Sequence, residues 1–458
     1  MGRSIVILGS GESGMGAAQL AVAKGDHVFL SDYGKIDTAA KEKLSNWGVE
    51  FEEEQHSQER IFQADLIVKS PGIPDNVSIV KEARSNGVKV ISEIEYAFYH
   101  LPDQARVIAI TGTNGKTTTT LLTHHLFTSA GLDAALGGNV GISFARQVAE
   151  REYDYYVIEV SSFQLDGIIR FRPDVAVLLN ITPDHLDRYD DDFQKYVASK
   201  FRIVENLTLD ECFIYCSDNV PISKELMQRN VEACMFAISA TKTGIEGAFV
   251  DNEHLIFNFK YRDTTRKHEI PISEINLIGK HNMVNTMAAV LSALTMDVSI
   301  EKILKGLKTF RNAPHRLEVV ATVNGVKYIN DSKATNVDSV KYALDGIDQP
   351  IVWIAGGIDK GNEYDEIRTL VNNRVKALIC LGSDNSKLRK YFDSCLDIVE
   401  ETDSMKDAVM LAQQLSVKGD VVLLSPACAS FDLFKNYEDR GDQFRLAVRS
   451  INQKIKEA

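Results

Sequence analysis

A lysine-containing glycine loop is the segment whose residue types and spacing are best suited to holding nucleotide phosphates. The residues TGTNGKT at 111–117 stand between the apolar run 107–110 and a helix-compatible stretch. Backbone N–H groups and the Lys116 ammonium of such a loop offer positive potential to β- and γ-phosphates, and the Thr117 hydroxyl can ligate Mg²⁺. The common spacing has a glycine where this chain has Ile110, so the loop is a shortened variant. It predicts an ATP-consuming enzyme.

An acidic residue stands where such a loop needs a ligand for its metal ion. Glu159 follows the apolar run 155–158 and precedes the residues SSFQ at 161–164. The carboxyl ends of parallel strands carry ligand-binding residues, and a carboxylate at that place suits Mg²⁺. A lone glutamate at a strand end is more often a surface residue. Beside this loop, Glu159 is expected to serve the metal.

A histidine among charged residues follows the next apolar run. His185 stands in NITPDHLDRY at 180–189, directly after the run 175–179. A single histidine is more often a satisfied polar residue than a ligand, but ligands bind beyond this edge of a parallel sheet, which favours a functional role. Lys200 lies in a predicted amphipathic helix at 191–206. The residues alone assign Lys200 no role beyond that of a solvated helix lysine.

A second glycine loop opens the chain. Gly9-x-Gly11-x-x-Gly14 follows a strand-like run and is followed about 20 residues later by Asp32, the spacing of a dinucleotide fingerprint. No hydride-transfer constellation accompanies the loop, so a redox cofactor is the less favoured interpretation. Because the glycines let backbone N–H groups and a helix N-terminus meet any pyrophosphate, a nucleoside diphosphate such as a UDP-sugar fits equally well. A purely structural turn is the remaining alternative.

Bulk composition narrows the class of protein. The 458 residues exceed one ordinary core, and 44% hydrophobic and 25% charged residues are typical of a soluble globular chain. A net charge of −13 argues against nucleic acid or an anionic membrane as a partner. The N-terminus is a poor signal peptide and no apolar run could span a bilayer, so a cytoplasmic location is expected. The six cysteines form no CxxC pair and are expected to be reduced thiols.

Strand-like runs alternate with helical stretches, which predicts parallel sheets with helical crossovers. The pattern restarts near Arg106 and again near Pro314, so we predict three α/β units. Asn324-Gly325 predicts a hairpin. The stretch from about 207 to 275 is interpreted as more polar and irregular. The predicted strands are 5–8, 27–30, 65–69, 88–91, 107–110, 155–160, 175–179, 318–323, 326–329, 351–355, 377–381 and 421–424.

Several motifs in a fixed order carry a resemblance that covers nearly the whole chain. These blocks are GTNGKTTT (112–119), EVSSFQL (159–165), NITPDHLDRY (180–189), GKHN-x-x-N (279–285), PHR (314–316) and NDSKATN (330–336). Together they resemble the Mur ligase family, whose members build the peptide stem of bacterial peptidoglycan. GGIDKG (356–361) and SPACASFDLFKNYEDRG (425–441) are similar to the motifs of the branch that adds D-glutamate.

The resemblance implies an α/β fold of three domains. A Rossmann-like domain at 1–96 would bind the UDP substrate, and a P-loop domain with a parallel sheet at 97–312 would bind ATP. A second Rossmann-like domain at 313–458 would bind the amino acid. The implied reaction transfers the γ-phosphoryl group of ATP to the carboxylate of UDP-MurNAc-L-Ala. The amine of D-glutamate then attacks the acyl phosphate, releasing phosphate. Two Mg²⁺ ions and a monomeric, cytoplasmic enzyme are the implied setting.

Site residues follow from the same resemblance, motif by motif. Lys116, Glu159, His185 and Lys200 match catalytic positions. Thr117 and Glu159 match the positions that hold the first Mg²⁺. His185 and Lys200, the latter as a carbamate, match those that hold the second. The positions matching ATP contacts are Gly112, Thr113, Asn114, Gly115, Lys116, Thr117, Thr118, Asn282, Asn285, Arg316 and Asp331. Those matching contacts to the UDP substrate are Ser13, Asp32, Ser70, Asn139 and Ser161, and those matching the D-glutamate pocket are Lys333, Thr335, Lys360, Ser430 and Phe431.

One departure and three alternatives accompany this interpretation. Asp32 is followed by Tyr33-Gly34, where related enzymes often have Thr-Arg, which leaves the uridine end open. Folylpolyglutamate synthetase shares the phosphate loop but lacks an N-terminal UDP-binding domain. An NAD-dependent oxidoreductase would leave the Lys116 loop unexplained. A pure nucleotide-binding regulator is disfavoured by the metal-binding acid and the acceptor motif.

Overall fold

The computed structural model describes residues 2–277 and 279–457, with side chains except those of Lys280 and residues 452–457. One compact unit comprises the chain up to Glu274 together with Val284–Phe310, and the second comprises Ile275–Met283 and the chain from Arg311 onward. Within the described residues, no helix combines the length and apolar character needed to cross a membrane.

Residues 4–98 form a five-stranded parallel sheet with helices between its strands. Its elements are β1 (Ser4–Leu8), α1 (Glu12–Ala23), β2 (His27–Ser31), α2 (Thr38–Asn46), β3 (Glu50–Glu52), α3 (Gln58–Phe62), β4 (Leu66–Lys69), α4 (Ser78–Ser85), β5 (Val90–Ser92) and α5 (Glu93–Phe98). The strand order is β3-β2-β1-β4-β5. The order therefore reverses beside β1, the point of a doubly wound sheet at which ligands bind, and the first glycine loop leaves the sheet there.

Residues 106–271 contribute nine strands to a second sheet of order β14-β13-β12-β11-β10-β9-β6-β8-β7. Its elements and the helices that follow are β6 (Arg106–Thr111), α6 (Lys116–Ser129), β7 (Ala134–Gly138), α7 (Phe144–Glu150), β8 (Tyr155–Glu159), α8 (Ser162–Leu165), β9 (Val175–Leu178), α9 (Phe193–Phe201), β10 (Cys212–Cys216), α10 (Val220–Leu226), β11 (Cys234–Ser239), β12 (Gly247–Asp251), β13 (His254–Tyr261), β14 (Thr264–Pro271), α11 (Lys280–Thr295) and α12 (Ile300–Thr309). β6 is parallel to both neighbours, β8 and β9, and its residues 107–110 are completely buried or nearly so.

The third sheet lies in the second unit, where residues 318–424 contribute six strands in the order β15-β16-β20-β17-β18-β19. Its elements are β15 (Glu318–Val323), β16 (Val326–Asn330), α13 (Val337–Asp345), β17 (Ile351–Ala355), α14 (Asp365–Arg374), β18 (Val375–Leu381), α15 (Ser386–Phe392), β19 (Val399–Thr402), α16 (Met405–Leu415), β20 (Val421–Leu424) and α17 (Tyr437–Glu457). β15 and β16 form the predicted antiparallel hairpin. Asn324 and Gly325 have φ of 51° and 79°, the left-handed pair that a tight hairpin turn needs.

The α/β class and the three sheets predicted from the sequence are confirmed, whereas one segment prediction is wrong. The stretch interpreted as polar and irregular contains β10 to β14 and α10. Its last hairpin has an apolar face, since alternate residues of β13 (Leu255, Phe257 and Phe259 among them) are buried while most of β14 is exposed or half-buried. The polar residues of the solvent face concealed this alternation. The boundaries of three separate domains stay a prediction.

Candidate active site

The phosphate loop connects the buried strand β6 to α6, as predicted. Gly115, which precedes the helix, has φ of 84°, and a Cβ added there would lie 2.5 Å from Asn285 Oδ1, so glycine is required on both counts. Asn114 N–H donates to Asn180 Oδ1 (2.8 Å), which ties the loop to the segment after β9. Lys116 Nζ donates to the carbonyl oxygens of Gly112 and Thr113, both at 2.7 Å. The ammonium therefore lies over its own loop, where phosphate oxygens would replace these carbonyl partners.

The predicted acidic ligand meets the loop directly. Glu159 is the last residue of β8, the strand beside β6, and it is 2% exposed. Its Oε2 accepts a hydrogen bond from Thr117 Oγ1 (2.7 Å), and its Oε1 accepts one from Asn139 Nδ2 (2.8 Å). Adjacent strand ends thus bring three sequence-predicted residues together. Hydroxyl and carboxylate oxygens are hard donors of the kind Mg²⁺ prefers, so the pair fits one magnesium ion beside the phosphates.

Lys200 reaches the same loop from α9. It is 1% exposed, and its Nζ donates to the carbonyl oxygen of Gly112 (2.8 Å), the acceptor that Lys116 also uses. Burial, and after it the charge of Lys116, lowers the pKa of Lys200 well below its ordinary value. The interpretation of Lys200 as a solvated helix lysine is therefore wrong, because α9 turns this side chain inward.

His185 is more exposed than the other predicted metal ligands. It adopts a left-handed φ of 52° just before a short 3-10 helix at Leu186–Tyr189, and its side chain is 57% exposed. Its Nε2 lies 3.6 Å from Asp184 Oδ2, and its ring contacts Phe163 edge-on. Among the described residues, His185 makes no hydrogen bond with Lys200, and no three His, Cys, Asp or Glu side chains form a metal-binding group.

A cavity of about 710 Å³ lies beside the first glycine loop. Ser13, Asp32 and Ser70, the predicted UDP contacts of this region, all line it. Asp32 Oδ2 accepts from both the N–H and the hydroxyl of Ser10 at 2.6 Å, and Oδ1 accepts from Gly34 N–H. Asp32 therefore holds the glycine loop and its own turn in place. Ser161, the remaining predicted contact besides Asn139, caps α8 and shares a capping box with Gln164.

The other predicted ATP contacts divide between the two compact units. In the first unit, Thr118 is buried in the opening turn of α6, and Asn285 is buried beside Gly115. In the second unit, Asn282 is buried near the start of α11. Asp331 follows β16 there and accepts from Ser425 Oγ (3.0 Å) and from Leu317 N–H (3.2 Å). Burial raises the pKa of Asp331 to about 7, and the nearby charge of Arg316 opposes this shift.

The predicted amino-acid pocket residues lie on the loops after β16, β17 and β20. Lys333 Nζ lies 3.7 Å from the ring centroid of Tyr437, a cation–π contact. Thr335 lies in the same loop as Lys333, and its N–H donates to the carbonyl oxygen of Lys333. Lys360 is exposed, Ser430 is buried, and Phe431 is 69% exposed. These loops all leave the carboxyl ends of parallel strands, where ligands bind in such sheets.

Three family models match successive parts of the chain. The MurD-like N-terminal domain of Mur ligases matches residues 3–92, the Mur ligase middle domain matches 110–293, and the Mur ligase glutamate ligase domain matches 315–428. The UDP-N-acetylmuramoylalanine--D-glutamate ligase of Cytophaga hutchinsonii is 51% identical over 98% of this chain and 99% of its own. That of Christiangramia forsetii is 49% identical over 98% of this chain and all of its own. This chain belongs to the Mur ligase family.

Solved structures of Mur ligases share the fold over almost the full length. A pseudomurein peptide ligase type C from Methanothermus fervidus is 21% identical, covers 98% of this chain and has a TM-score of 0.60. The UDP-N-acetylmuramate-alanine ligase of Thermotoga maritima is 16% identical with the same coverage of this chain and the same TM-score. These likenesses agree with the three-sheet architecture. The full-length relatives give no support to an oxidoreductase or to a folylpolyglutamate synthetase.

Two arginines of this Mur ligase were missed by reasoning from the sequence. Arg188 donates to the carbonyl oxygens of Pro71 (3.2 Å) and Gly72 (3.3 Å), and its guanidinium lies 4.3 Å from the centre of the Phe163 ring. It therefore joins the segment that carries His185 to the turn that lines the N-terminal cavity. Its place in the motif NITPDHLDRY was the available signal.

Arg440 is the second. It is 1% exposed, and it donates to Ser332 Oγ (3.0 Å) and to the carbonyl oxygens of Ser332 (2.9 Å) and Cys428 (3.1 Å). Burial lowers its pKa to about 10. The guanidinium thus fastens together the two loops that carry Lys333 and Ser430. No local pattern signals this role, because the contacts to Ser332 cross 108 residues.

Proposed function

We propose that this Mur ligase joins D-glutamate to UDP-N-acetylmuramoyl-L-alanine and converts ATP to ADP and phosphate. The observation that carries the proposal is the full-length relation, at about half identity, to proteins named for that reaction. The hydrogen bond between Thr117 of the phosphate loop and Glu159 supports the proposal, because it brings together two oxygen groups that can hold the Mg²⁺ an ATP-dependent ligase requires.

The reaction must first turn a carboxylate into an electrophile. A carboxylate oxygen of the L-alanyl group attacks the γ-phosphorus, the bond to the β-bridging oxygen breaks, and ADP leaves. The free amine of D-glutamate then attacks the acyl carbon, and phosphate leaves with the carboxylate oxygen that had attacked phosphorus, while the other carboxylate oxygen becomes the amide carbonyl. The nitrogen loses a proton as the amide forms. The first step brings two anions together, so most of the catalysis is neutralisation and alignment of charge.

The phosphate loop supplies that neutralisation. The N-terminus of α6, the loop N–H groups and Lys116 would bind the β- and γ-phosphates, as glycine loops before helices do. Thr117 and Glu159 would hold one Mg²⁺, which would supply positive charge to the phosphates when bound. Asn139 Nδ2 donates to Glu159 and so orients the carboxylate. Exchange of the carbonyl partners of Lys116 for phosphate oxygens would complete the site.

Lys200 is proposed to act as a carbamate that, with His185, serves a second Mg²⁺. The unmodified amine shares the carbonyl oxygen of Gly112 with Lys116, and no carboxylate of the described residues forms a salt bridge with it. Two amines at one acceptor, in a buried place, disfavour a second positive charge. The neutral amine can attack the carbon of CO₂ and lose one N–H proton, which gives a carboxylate-like anion that suits Mg²⁺.

The remaining groups are assigned to the two other substrates. The 710 Å³ cavity would take the UDP moiety, with Ser13, Asp32 and Ser70 around it. Lys333 and Lys360 would pair with the two carboxylates of D-glutamate, so that only its amine is left to react. We assign these tasks to three domains, 1–96, 97–312 and 313–458, in a monomer. Because ATP and a nucleotide-linked sugar are both consumed, we propose a cytoplasmic location.

The decisive experiment measures phosphate release by the purified full chain. Release is expected only when ATP, Mg²⁺, UDP-MurNAc-L-Ala and an acceptor are all present. D-Glu, L-Glu, L-Lys and meso-diaminopimelate are to be compared in parallel, with mass spectrometry of the product. Activity with D-Glu and with none of the other three amino acids supports the proposal. Activity with L-Lys and none with D-Glu would overturn the acceptor assignment while retaining a Mur ligase mechanism.

A further inference from the structure

Two aromatic side chains that line the N-terminal cavity, Tyr33 and His56, have no role in the proposed reaction. Tyr33 directly follows Asp32 at the end of β2, and it is 76% exposed. His56 lies between β3 and α3 and is half-buried. Both line the cavity, and their ring centroids are 5.7 Å apart with planes tilted by 38°. A large exposed aromatic ring that lines a nucleotide-sized cavity is suited to stacking on a base.

A hydrogen-bond chain fixes which nitrogen of His56 carries the proton. Ser31 Oγ lies 2.7 Å from Glu52 Oε1 and 2.6 Å from His56 Nδ1. A carboxylate only accepts, so the hydroxyl hydrogen of Ser31 goes to Glu52. The longer approach to the Gln55 carbonyl, 3.5 Å, does not compete. His56 Nδ1 must therefore be the donor to Ser31.

The carboxylate character of Glu52 is itself well supported. Its oxygens also accept from the N–H and the hydroxyl of Ser57, and these hydrogen bonds help to lower its pKa although burial opposes them. Burial lowers the pKa of His56, which keeps the ring neutral. With its proton on Nδ1, the neutral ring presents a lone pair at Nε2. Among the described residues, His56 Nε2 has no hydrogen-bond partner.

Uracil offers the donor that such an acceptor needs. Its N3–H lies between two carbonyl oxygens, whereas N3 of cytosine is itself an acceptor. Asp32, another acceptor that lines the cavity, already accepts three hydrogen bonds, two from Ser10 through Oδ2 and one from Gly34 N–H through Oδ1. His56 Nε2 is therefore the acceptor best placed to distinguish the two pyrimidines.

We infer that Tyr33 stacks on the base of the nucleotide substrate and that His56 Nε2 accepts the N3–H of uracil. This assignment rests on the proposed binding of UDP in this cavity. It divides base recognition between Tyr33, which stands at the first position of the pair that is often Thr-Arg in related enzymes, and His56. Tyr33 supplies affinity for any pyrimidine, and His56 supplies the selection of uracil.

Calorimetric titration of the full chain with UDP, CDP and N3-methyl-UDP tests this division. The wild-type protein is expected to bind UDP about tenfold more tightly than either analogue, because loss of this one hydrogen bond leaves the acceptor of a half-buried ring unpaired. His56→Phe should abolish this preference, and His56→Gln, whose amide oxygen can replace Nε2, should keep most of it. Tyr33→Ala should weaken UDP and CDP alike, by about tenfold, and leave their ratio unchanged.

The matched control is His27→Phe, which changes an exposed histidine at the opposite end of β2. It should leave all three affinities at their wild-type values. Because the readout is a ratio within one variant, partial unfolding does not imitate the expected result. In steady-state assays, His56→Phe should raise KM for UDP-MurNAc-L-Ala and leave kcat unchanged, since the contact is remote from the reacting carboxylate.

Two outcomes overturn the inference. One is an unchanged preference for UDP in His56→Phe, and the other is a wild-type protein that binds UDP no better than CDP or not at all. Failure of the proposed reaction is recognised separately. A protein that prefers UDP through His56 but releases no phosphate with D-Glu would retain the base-recognition assignment and lose the proposed function.

Discussion

Two lysines that share one carbonyl oxygen define the electrostatics beside the phosphate loop. Lys116 is partly exposed and can turn towards incoming phosphates, whereas Lys200 is enclosed by α9 and lies 4.7 Å from the centre of the Tyr196 ring. An unmodified ammonium in that place repels Lys116 and ligates no metal. Each consequence is reversed when Lys200 carries a carbamate.

Replacement of Lys200 tests that proposal. Lys200→Ala should lower kcat by at least about a hundredfold, because a buried charge-stabilising group is lost. Small carboxylates such as acetate should restore part of the activity by occupying the vacated space. Lys195→Ala is the control, since Lys195 lies on the same helix but is exposed and forms a salt bridge with the exposed Asp190. Full activity of Lys200→Ala would contradict the assignment.

Asp331 carries a pH-dependent cost in stability. Its pKa is raised to about 7 in the folded protein by burial, while an unfolded aspartate titrates near 3.8. Between these values the folded state binds more protons than the unfolded state, so the free energy of unfolding falls as pH rises from about 4 to 7. Above pH 7 this contribution is constant.

Asp331→Asn removes the titration while keeping an amide oxygen for Leu317 N–H, and its Nδ2 can donate to Ser425 Oγ in place of the hydrogen bond that Asp331 Oδ2 accepts. Relative to wild type, the variant should gain up to a few kcal/mol in unfolding free energy between pH 4.5 and pH 7.5. Urea unfolding at the two pH values measures the difference. A stability difference that stays constant between the two pH values would show that Asp331 titrates normally.

At the scale of elements, the amino-acid loops depend on a helix that follows them in the chain. Arg440 belongs to the first turn of α17. Its guanidinium donates hydrogen bonds to carbonyl oxygens in the loop after β16 and in the loop after β20. These loops carry the residues assigned to D-glutamate. The buried guanidinium therefore connects the placement of α17 to the shape of the pocket.

Arg440→Met should disturb both the placement of α17 and the shape of the amino-acid pocket. Several backbone and hydroxyl acceptors lose a buried donor, so the unfolding free energy should fall by about 2–4 kcal/mol. KM for D-Glu should rise more than KM for ATP, because the loops of Lys333 and Ser430 are released. Arg449→Met, an exposed position on the same helix, is the control. Equal effects of the two variants on KM for D-Glu would show that Arg440 does not position the pocket.

The elements differ in how well the sequence predicts them, for identifiable reasons. β6, β8 and the Asn324-Gly325 hairpin were predicted because continuous apolar runs and a left-handed dipeptide are local signals. β19 was missed because Val399–Thr402 is a short edge strand with two exposed glutamates. Thr117 and Glu159 could be paired from the sequence, since neighbouring parallel strands end at one edge. The partners of Arg440 and His56 could not, because they depend on tertiary contacts between distant segments.

At the scale of the whole molecule, the acidic chain confines its useful positive charge to particular places. The net charge is −13, yet the phosphate loop, the Arg188 segment and the amino-acid loops each present a cation. Within the first compact unit, Arg188 is the group that joins two of the assigned sites. It bridges the turn at 71–72, which lines the nucleotide cavity, and the segment of His185.

Arg188→Ala should therefore affect one substrate through contacts at another site. The turn loses two charge-assisted hydrogen bonds, each worth about 1.5–3 kcal/mol in place, so its position relative to His185 relaxes. KM for UDP-MurNAc-L-Ala should rise about tenfold and kcat should fall, whereas KM for ATP should change little, because Lys116 and Thr117 keep their partners. Steady-state assays with each substrate varied in turn separate these effects.

Arg172→Ala, which removes a partly exposed pair with Glu211, is the control. An Arg188→Ala enzyme with equal losses for ATP and the UDP substrate would contradict a link between the two sites and indicate general destabilisation of the first unit.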